Sequence, residues 1–336
     1  MLRALIATLA LALAFPASAQ SLIAHRGASG ERPEHTLAAF ELAIRQGADF
    51  IELDLVPTKD GELIVRHENE LSLSTDVADR AEFAGRKTTK LIDGRSFTGW
   101  FAEDFTLAEI RTLRARERIP AIRPRNRGFD GLYAVPTLQE VIALVRALEG
   151  LPGGRRVGFY LELKHPAWFL AQGHDTTAML ARALAAAGLE GAGQPVVVQT
   201  FEVEPLERLA RSRRFTRVQL IAAQGGPADR PGQTYAAMLT AEGLREVARR
   251  ADGVALDLAL FDGDPERARA LVKLAREAGL AVHVWTLRRE NRFLWPAFRN
   301  GADPDAPGDM AAAWRLLAEL GISGIITDNP GDVSRR

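Results

Sequence analysis

Eight short apolar runs rich in β-branched residues recur along the chain, at 22–25 (LIAH), 50–56 (FIELDLV), 157–164 (VGFYLELK), 196–200 (VVVQT), 217–223 (RVQLIAA), 253–258 (GVALDL), 281–287 (AVHVWTL) and 324–329 (GIITDN). Between them lie amphipathic stretches such as HTLAAFELAIRQG, TLQEVIALVRAL, TTAMLARALAAAG and PERARALVKLAREAG. These carry apolar residues at i, i+3 and i+4 and often end near a glycine. Eight such strand–helix units within 336 residues most simply close into an α/β fold, a (β/α)₈ TIM-type barrel, with an open doubly wound sheet as the alternative.

Two departures from a plain barrel are visible. After the second run, Asp60-Gly61 signals a tight hairpin joining FIELDLVPT to ELIVRH. Residues 68–136 then run on outside the strand–helix alternation. This insertion is expected to carry one helix, TLAEIRTLRARE, opened by a capping box at Thr106 and Glu109. It also holds Arg111, Arg114, Arg116, Arg118, Arg123, Arg125 and Arg127, which read either as a solvated face or as a rim that attracts an anion.

The first residues are of another kind. Arg3, an apolar core and the small-x-small triplet Ala17-Ser18-Ala19 predict a signal peptide over 1–19, cleaved before Gln20, and a periplasmic location. That leaves 20–336 as a barrel domain with its insertion. The apolar run falls short of the ~20 residues that span a bilayer, so no stable membrane insertion is expected after cleavage. With no cysteine there is no disulfide framework, and with Lys plus Arg equal to Asp plus Glu at 43 each, no global charge draws the chain to nucleic acid.

In a barrel the C-terminal strand ends line the active site, and alternate residues of a strand face the same way. Glu52 and Asp54 therefore share a face, as do Glu162 and Lys164. His25 and Arg26 end the first strand and His67 ends the hairpin, so all converge on one mouth. Three carboxylates in a dry cavity repel one another and call for a cation. Oxygen donors favour a hard divalent metal, Ca²⁺ or Mg²⁺, over zinc. The competing reading makes Glu52, Asp54 and Glu162 plain salt-bridge partners of Arg26 and Lys164. A metal flanked by Arg26 and Lys164 suits a phosphate, and the pair His25 and His67 suits a displacement at a phosphodiester, one of the two as general base and the other as general acid, in either order, because the leaving alcohol needs a proton.

The segments HRGASGERPEHTLAAF, ADFIELDLVPTKDGELIVRHE, YLELKH, VWTL and GIITDNP resemble the ordered motifs of the glycerophosphodiester phosphodiesterases, and the insertion after His67 resembles their periplasmic branch. The resemblance implies hydrolysis of a glycerophosphodiester to glycerol 3-phosphate and an alcohol. It places metal ligands at Glu52, Asp54 and Glu162, the acid/base pair at His25 and His67, and phosphate contacts at Arg26 and Lys164. Trp285, Phe201 and Trp168 are candidate walls for the substrate, and Gln199 and Asp328 candidate contacts to glycerol hydroxyls. The wider family usually has Asn where this chain has His35 and Asp where it has Glu68. His35 is read as a cap or supporting residue at the start of the first helix, and His165, His174 and His283 as structural. Two other readings are carried forward: a phospholipase D-like enzyme acting on lysophospholipid or sphingomyelin, and a non-catalytic periplasmic binding protein.

Overall fold

A computed structural model of the chain describes residues 20–333 save 192, 193 and 213; the expected signal peptide lies outside the described residues. Its strands are β1 (Ser21–His25), β2 (Phe50–Pro57), β3 (Leu63–Val65), β4 (Thr88–Ile92), β5 (Arg95–Gly99), β6 (Gly158–Leu163), β7 (Val196–Thr200), β8 (Thr216–Ile221), β9 (Gly253–Asp257), β10 (Ala281–Leu287) and β11 (Gly324–Thr327). The parallel pairs run β1-β11-β10-β9-β8-β7-β6-β2, and β2 returns to pair with β1, so eight parallel strands close a barrel. The helices are α1 (Leu37–Arg45), α2 (Leu107–Ile110), α3 (Leu138–Glu149), α4 (Pro166–Ala171), α5 (Thr176–Ala186), α6 (Glu204–Ala210), α7 (Tyr235–Met238), α8 (Ala241–Ala248), α9 (Pro265–Glu277) and α10 (Met310–Glu319).

The near-continuous apolar strands are explained by burial on both faces. One set of side chains, including Leu22, Leu53, Leu161 and Val282, packs outward against the helices. The alternate set, Ile23, Tyr160, Val197, Val218, Ala255 and Ile326, packs together inside the barrel. Helix starts are written locally: Thr36 accepts from the Ala39 N–H, and Thr137 with Glu140 forms a complete capping box on α3.

As the Asp60-Gly61 signal implies, β3 folds back antiparallel on β2. The insertion differs from its expected form. Thr106 and Glu109 do make a capping box, but α2 ends after one turn, at Ile110. Beyond it the Ala115 N–H donates to Tyr133 O (2.8 Å) and the Arg116 N–H to Ser74 O (2.9 Å), so pairing with distant backbone replaces the helix that Leu107, Ile110 and Leu113 suggest. The insertion also contains a ribbon, β4–β5, absent from the expectation. Its turn residues Asp93 and Gly94 both have positive φ, at 48° and 77°, as an Asp-Gly hairpin turn requires. The ribbon is largely exposed, so no apolar alternation announced it.

A second apolar cluster joins the insertion to the barrel, with Val56, Ile64 and Phe169 meeting Leu71, Phe83 and Phe105. Phe105 is fully buried and lies edge-on to Phe83 at 5.0 Å. Phe105→Ala is expected to cost about 3–5 kcal/mol. Amide hydrogen exchange should show the loss concentrated in 69–113, with β9 to β11 keeping their protection.

Candidate active site

The site grows from the two-residue period of the strands. Going toward the C-terminal end, an interior apolar residue is followed two positions later by a polar one on several of the strands: Ile23 by His25, Tyr160 by Glu162, Val197 by Gln199, Ile326 by Asp328. On β2, Phe50 is followed by Glu52 and then Asp54. Register sets these side by side, with His25 opposite Glu52, Asp54 opposite Glu162, and Glu162 opposite Gln199. His67 follows β3, where the Arg66 N–H donates to Asp54 O (3.0 Å) and so carries the hairpin's end to the same mouth.

The turn after β1 is tight. Arg26 and Gly27 have φ of 58° and 83°, and a Cβ on Gly27 would meet the Ala39 backbone at 2.6 Å, so the third residue of His-Arg-Gly has to be glycine. The turn aims the Arg26 N–H at Glu52 Oε2 (2.9 Å). The Arg26 guanidinium donates to Glu34 Oε2 (2.7 Å) and lies 3.4 Å from Asp54 Oδ2. Lys164 Nζ is 2.7 Å from Glu162 Oε1 and 3.7 Å from Asp54 Oδ1.

Salt-bridging to Arg26 and Lys164 is thus real, yet it leaves the acid cluster incompletely answered. Glu52 is pushed well above the usual carboxylate range by burial and by repulsion from Asp54 and Glu162. Burial lifts Glu162 to about 8, Lys164 opposing and Asp54 adding to the rise. Burial also works against ionised Asp54, but Lys164 and its other neighbours hold it well below its ordinary value. Both oxygens of Asp54 are buried without a hydrogen-bond partner. Buried, unbonded carboxylate oxygens beside two acids of raised pKa fit a hard divalent cation. Glu52, Asp54 and His35 each offer one donor atom within 4.8 Å of the others. Glu162 stands outside that group, opposite Asp54 in register and joined to it by Lys164 as well.

Of the two roles read for His35, the cap falls to Thr36 and the supporting role remains. Thr36 caps α1, and His35, fully buried with φ of 58°, takes the Asp54 N–H at Nε2 (3.2 Å). Nothing in the PEHT motif distinguishes a cap from a residue pointing inward one position earlier.

Both expected acid/base imidazoles are tied at Nδ1 to a carboxylate, His25 to Asp328 (2.5 Å) and His67 to Glu68 (2.6 Å). The tie directs Nδ1–H to the carboxylate and leaves Nε2 as the basic nitrogen. Burial, with Arg26 next, pushes His25 down to about 4; burial, Arg26 and Lys164 push His67 down to about 3. Both are neutral at pH 7. Asp328, suggested above as a glycerol contact, instead orients His25, and Gln199 donates to Glu52 Oε1 (3.1 Å). Phe201 and Trp285 meet edge to face at 5.6 Å, and Lys164 Nζ is 5.9 Å from the Phe201 ring. Trp168 belongs to the insertion seam, donating from Nε1 to Leu91 O (2.9 Å). His283 accompanies Tyr160 within the barrel, His165 pairs with Asp93 outside the cluster, and His174 lies in the loop between α4 and α5.

Residues 25–332 match the glycerophosphoryl diester phosphodiesterase family. The chain belongs to this family. It is 32% identical over 93% of its length to a glycerophosphodiester phosphodiesterase of Arabidopsis thaliana, covering 84% of that protein, and 30% identical over 94% to one from Treponema pallidum, covering 90%. The fold likewise matches a family structure from Agrobacterium tumefaciens (TM-score 0.57, 22% identity, 94% of this chain and 98% of that one). It also matches an Oleispira antarctica phosphodiesterase in complex with the product sn-glycerol-3-phosphate (TM-score 0.62, 20% identity, 93% and 94%). Membership in this family makes the chain an enzyme, a phosphodiesterase.

The raised value of Glu162 carries a sign. Its folded value, about 8, lies above its ordinary 4.5, so the stability it contributes is complete below about pH 4.5 and is lost as pH rises through about 8. Urea unfolding in chelator is expected to show stability falling over that window, and Glu162→Gln should flatten the slope. Adding Ca²⁺ or Mg²⁺ at pH 7 should release protons, read by calorimetry in buffers of different ionisation enthalpy.

Proposed function

We propose that the chain hydrolyses glycerophosphodiesters to glycerol 3-phosphate and an alcohol, using a bound divalent cation together with His25 and His67 as acid and base. The observation that carries this reading is the meeting, at one barrel mouth, of two neutral imidazoles each tied at Nδ1 with Arg26, Lys164 and a carboxylate cluster. Glu52, Asp54 and Glu162 are the proposed ligands. Carboxylates drawn from two strands, β2 and β6, suit the loose oxygen geometry of Ca²⁺ first and Mg²⁺ second. When bound, such a cation supplies positive charge to the non-bridging phosphate oxygens.

The chain's own groups do the rest. Arg26 and Lys164 bind and orient the phosphate. One imidazole takes a proton at Nε2 from the attacking oxygen as its bond to phosphorus forms. The other gives a proton to the alkoxide as the bond from phosphorus to the leaving oxygen breaks; after product release the protonated base gives its proton to solvent and the acid takes one back, which restores both rings. The lowered values of His25 and His67 suit the base directly. For the acid, an arriving phosphodiester anion replaces part of the lost solvation and raises its pKa. Phe201 and Trp285, beside Lys164, are the proposed apolar wall for the glycerol or the leaving group. The product seen in the Oleispira antarctica enzyme supports glycerol 3-phosphate as the product class here.

The reading extends to the periplasmic branch and to export, both of which rest on the insertion and on residues 1–19 of the sequence. Among the described residues no helix is long and apolar enough to cross a membrane. N-terminal sequencing of exported protein should begin at Gln20.

Glycerol 3-phosphate release from glycerophosphocholine is expected to stop in chelator and return with Ca²⁺ or Mg²⁺. His25→Ala and His67→Ala should each lower kcat about 10²–10⁴-fold. Faster turnover of a lysophospholipid than of glycerophosphocholine would favour the phospholipase D-like alternative.

A further inference from the structure

Each catalytic imidazole leans on a carboxylate, and each of those carboxylates is gripped by an arginine of the insertion. Arg123 donates from Nη2 to Asp328 Oδ2 (2.6 Å), the carboxylate whose other oxygen holds His25, and from Nε to Glu290 Oε1 (2.7 Å). Its third arm, Nη1, donates to Ser29 O (3.1 Å), in the turn just after His25. Only 7% of the side chain is exposed, so the guanidinium fills a slot between the loops that follow β1, β10 and β11. Arg288 adds a contact to the same oxygen of Asp328 at 2.9 Å.

Arg118 stands in the same relation to the other imidazole. It pairs with Glu68 through Nη2 and lies 3.5 Å from Glu34 Oε1 through Nε, and Glu34 in turn holds Arg26. Nη2 is also 3.1 Å from His67 Nδ1. Nδ1 cannot give its proton to Glu68 and accept one from Arg118, and the 2.6 Å contact to Glu68 makes it the donor. The segment bearing both arginines is braced on itself: Glu117 accepts from the Ile119 N–H (2.9 Å) and from Asn126 Nδ2 (2.8 Å), and Asn126 also donates to Ser29 O (3.2 Å).

An imidazole works as acid or base only when its tautomer and ring plane are set, and its carboxylate partner must itself be held still to set them. The barrel supplies the imidazoles on strand and hairpin ends. We propose that the insertion is the orienting device for the reaction, with Arg118 and Arg123 as positioning residues that fix Glu68 and Asp328 and, through them, His67 and His25. This assigns two of the seven clustered arginines to the chemistry without contact to substrate. It rests on the functional reading above.

The test uses the full chain with its metal, comparing wild type with Arg123→Ala, Arg123→Lys and Arg118→Ala on glycerophosphocholine and on the p-nitrophenyl diester of glycerol 3-phosphate. Expected is a loss of about ten- to a hundredfold in kcat for both alanine variants, with KM within about twofold. Arg123→Lys keeps the charge but not the fork, so it should recover only part of the loss. Added guanidinium ion should restore part of the Arg123→Ala rate by entering the buried slot. A nitrophenolate leaves without a proton, so whichever arginine serves the acid should matter less on that substrate, while its counterpart should matter equally on both. Arg123→Lys keeps the inference open to refutation should Arg123→Ala not fold. A rise in KM with kcat preserved would make these arginines rim charges that attract the substrate, and unchanged kinetics would make them structural; either overturns the inference while the functional reading stands. A wild-type protein that cleaves neither diester overturns the reading itself, and the inference with it.

Discussion

Like charges crowded into a space with little water dominate this molecule. Glu52, Asp54 and Glu162 stand together at the barrel mouth, each nearly fully buried, with Glu34 close by on the first loop. Arg26 and Lys164 answer part of that charge by direct contact. The remainder appears as raised carboxyl pKa values and as two unbonded oxygens on Asp54. A fold tolerates such a concentration only where function rewards it, because the same volume filled with apolar side chains would cost nothing in desolvation. The electrostatics that make the site expensive also make it receptive to a cation and, beyond it, to a phosphate.

The division of labour between barrel and insertion follows. Strand register is rigid, and it sets carboxylates, lysine and imidazole at fixed separations around the mouth. Register alone leaves an imidazole free to turn about its side-chain bonds. Arginines from a segment far off in sequence remove that freedom by holding the carboxylates behind each ring. The apolar seam of Val56, Ile64, Phe105 and Phe169 anchors that segment to the barrel, so packing there bears on catalytic geometry at a distance.

Legibility in the sequence followed the range of the interaction. Strand runs, the capping boxes at Thr106 and Thr137 and the Asp60-Gly61 turn are written in neighbouring residues, and each is found where it reads. The Glu52/Asp54 and Glu162/Lys164 pairs are equally local, two residues apart on a strand. The helix expected over 106–117 shows the limit: its capping box forms, yet partners at Ser74 and Tyr133 claim the backbone after one turn. The β4–β5 ribbon had a local signal in Asp93-Gly94, masked by strands too exposed to alternate.

Periodicity and local motifs determined eight strand–helix units and the face each acidic residue occupies, because a two-residue repeat is set within one strand; closure into a barrel, and the register that gathers the acids at one mouth, came from pairing between strands far apart in sequence. Only the tertiary structure decided that Asp328 serves His25, that His35 turns inward to Asp54, and that Arg118 and Arg123 leave the solvent to hold two carboxylates. Those partners lie tens to hundreds of residues apart, and seven similar arginines compete for them. Which one is buried depends on where the insertion comes to rest, and no local pattern encodes that.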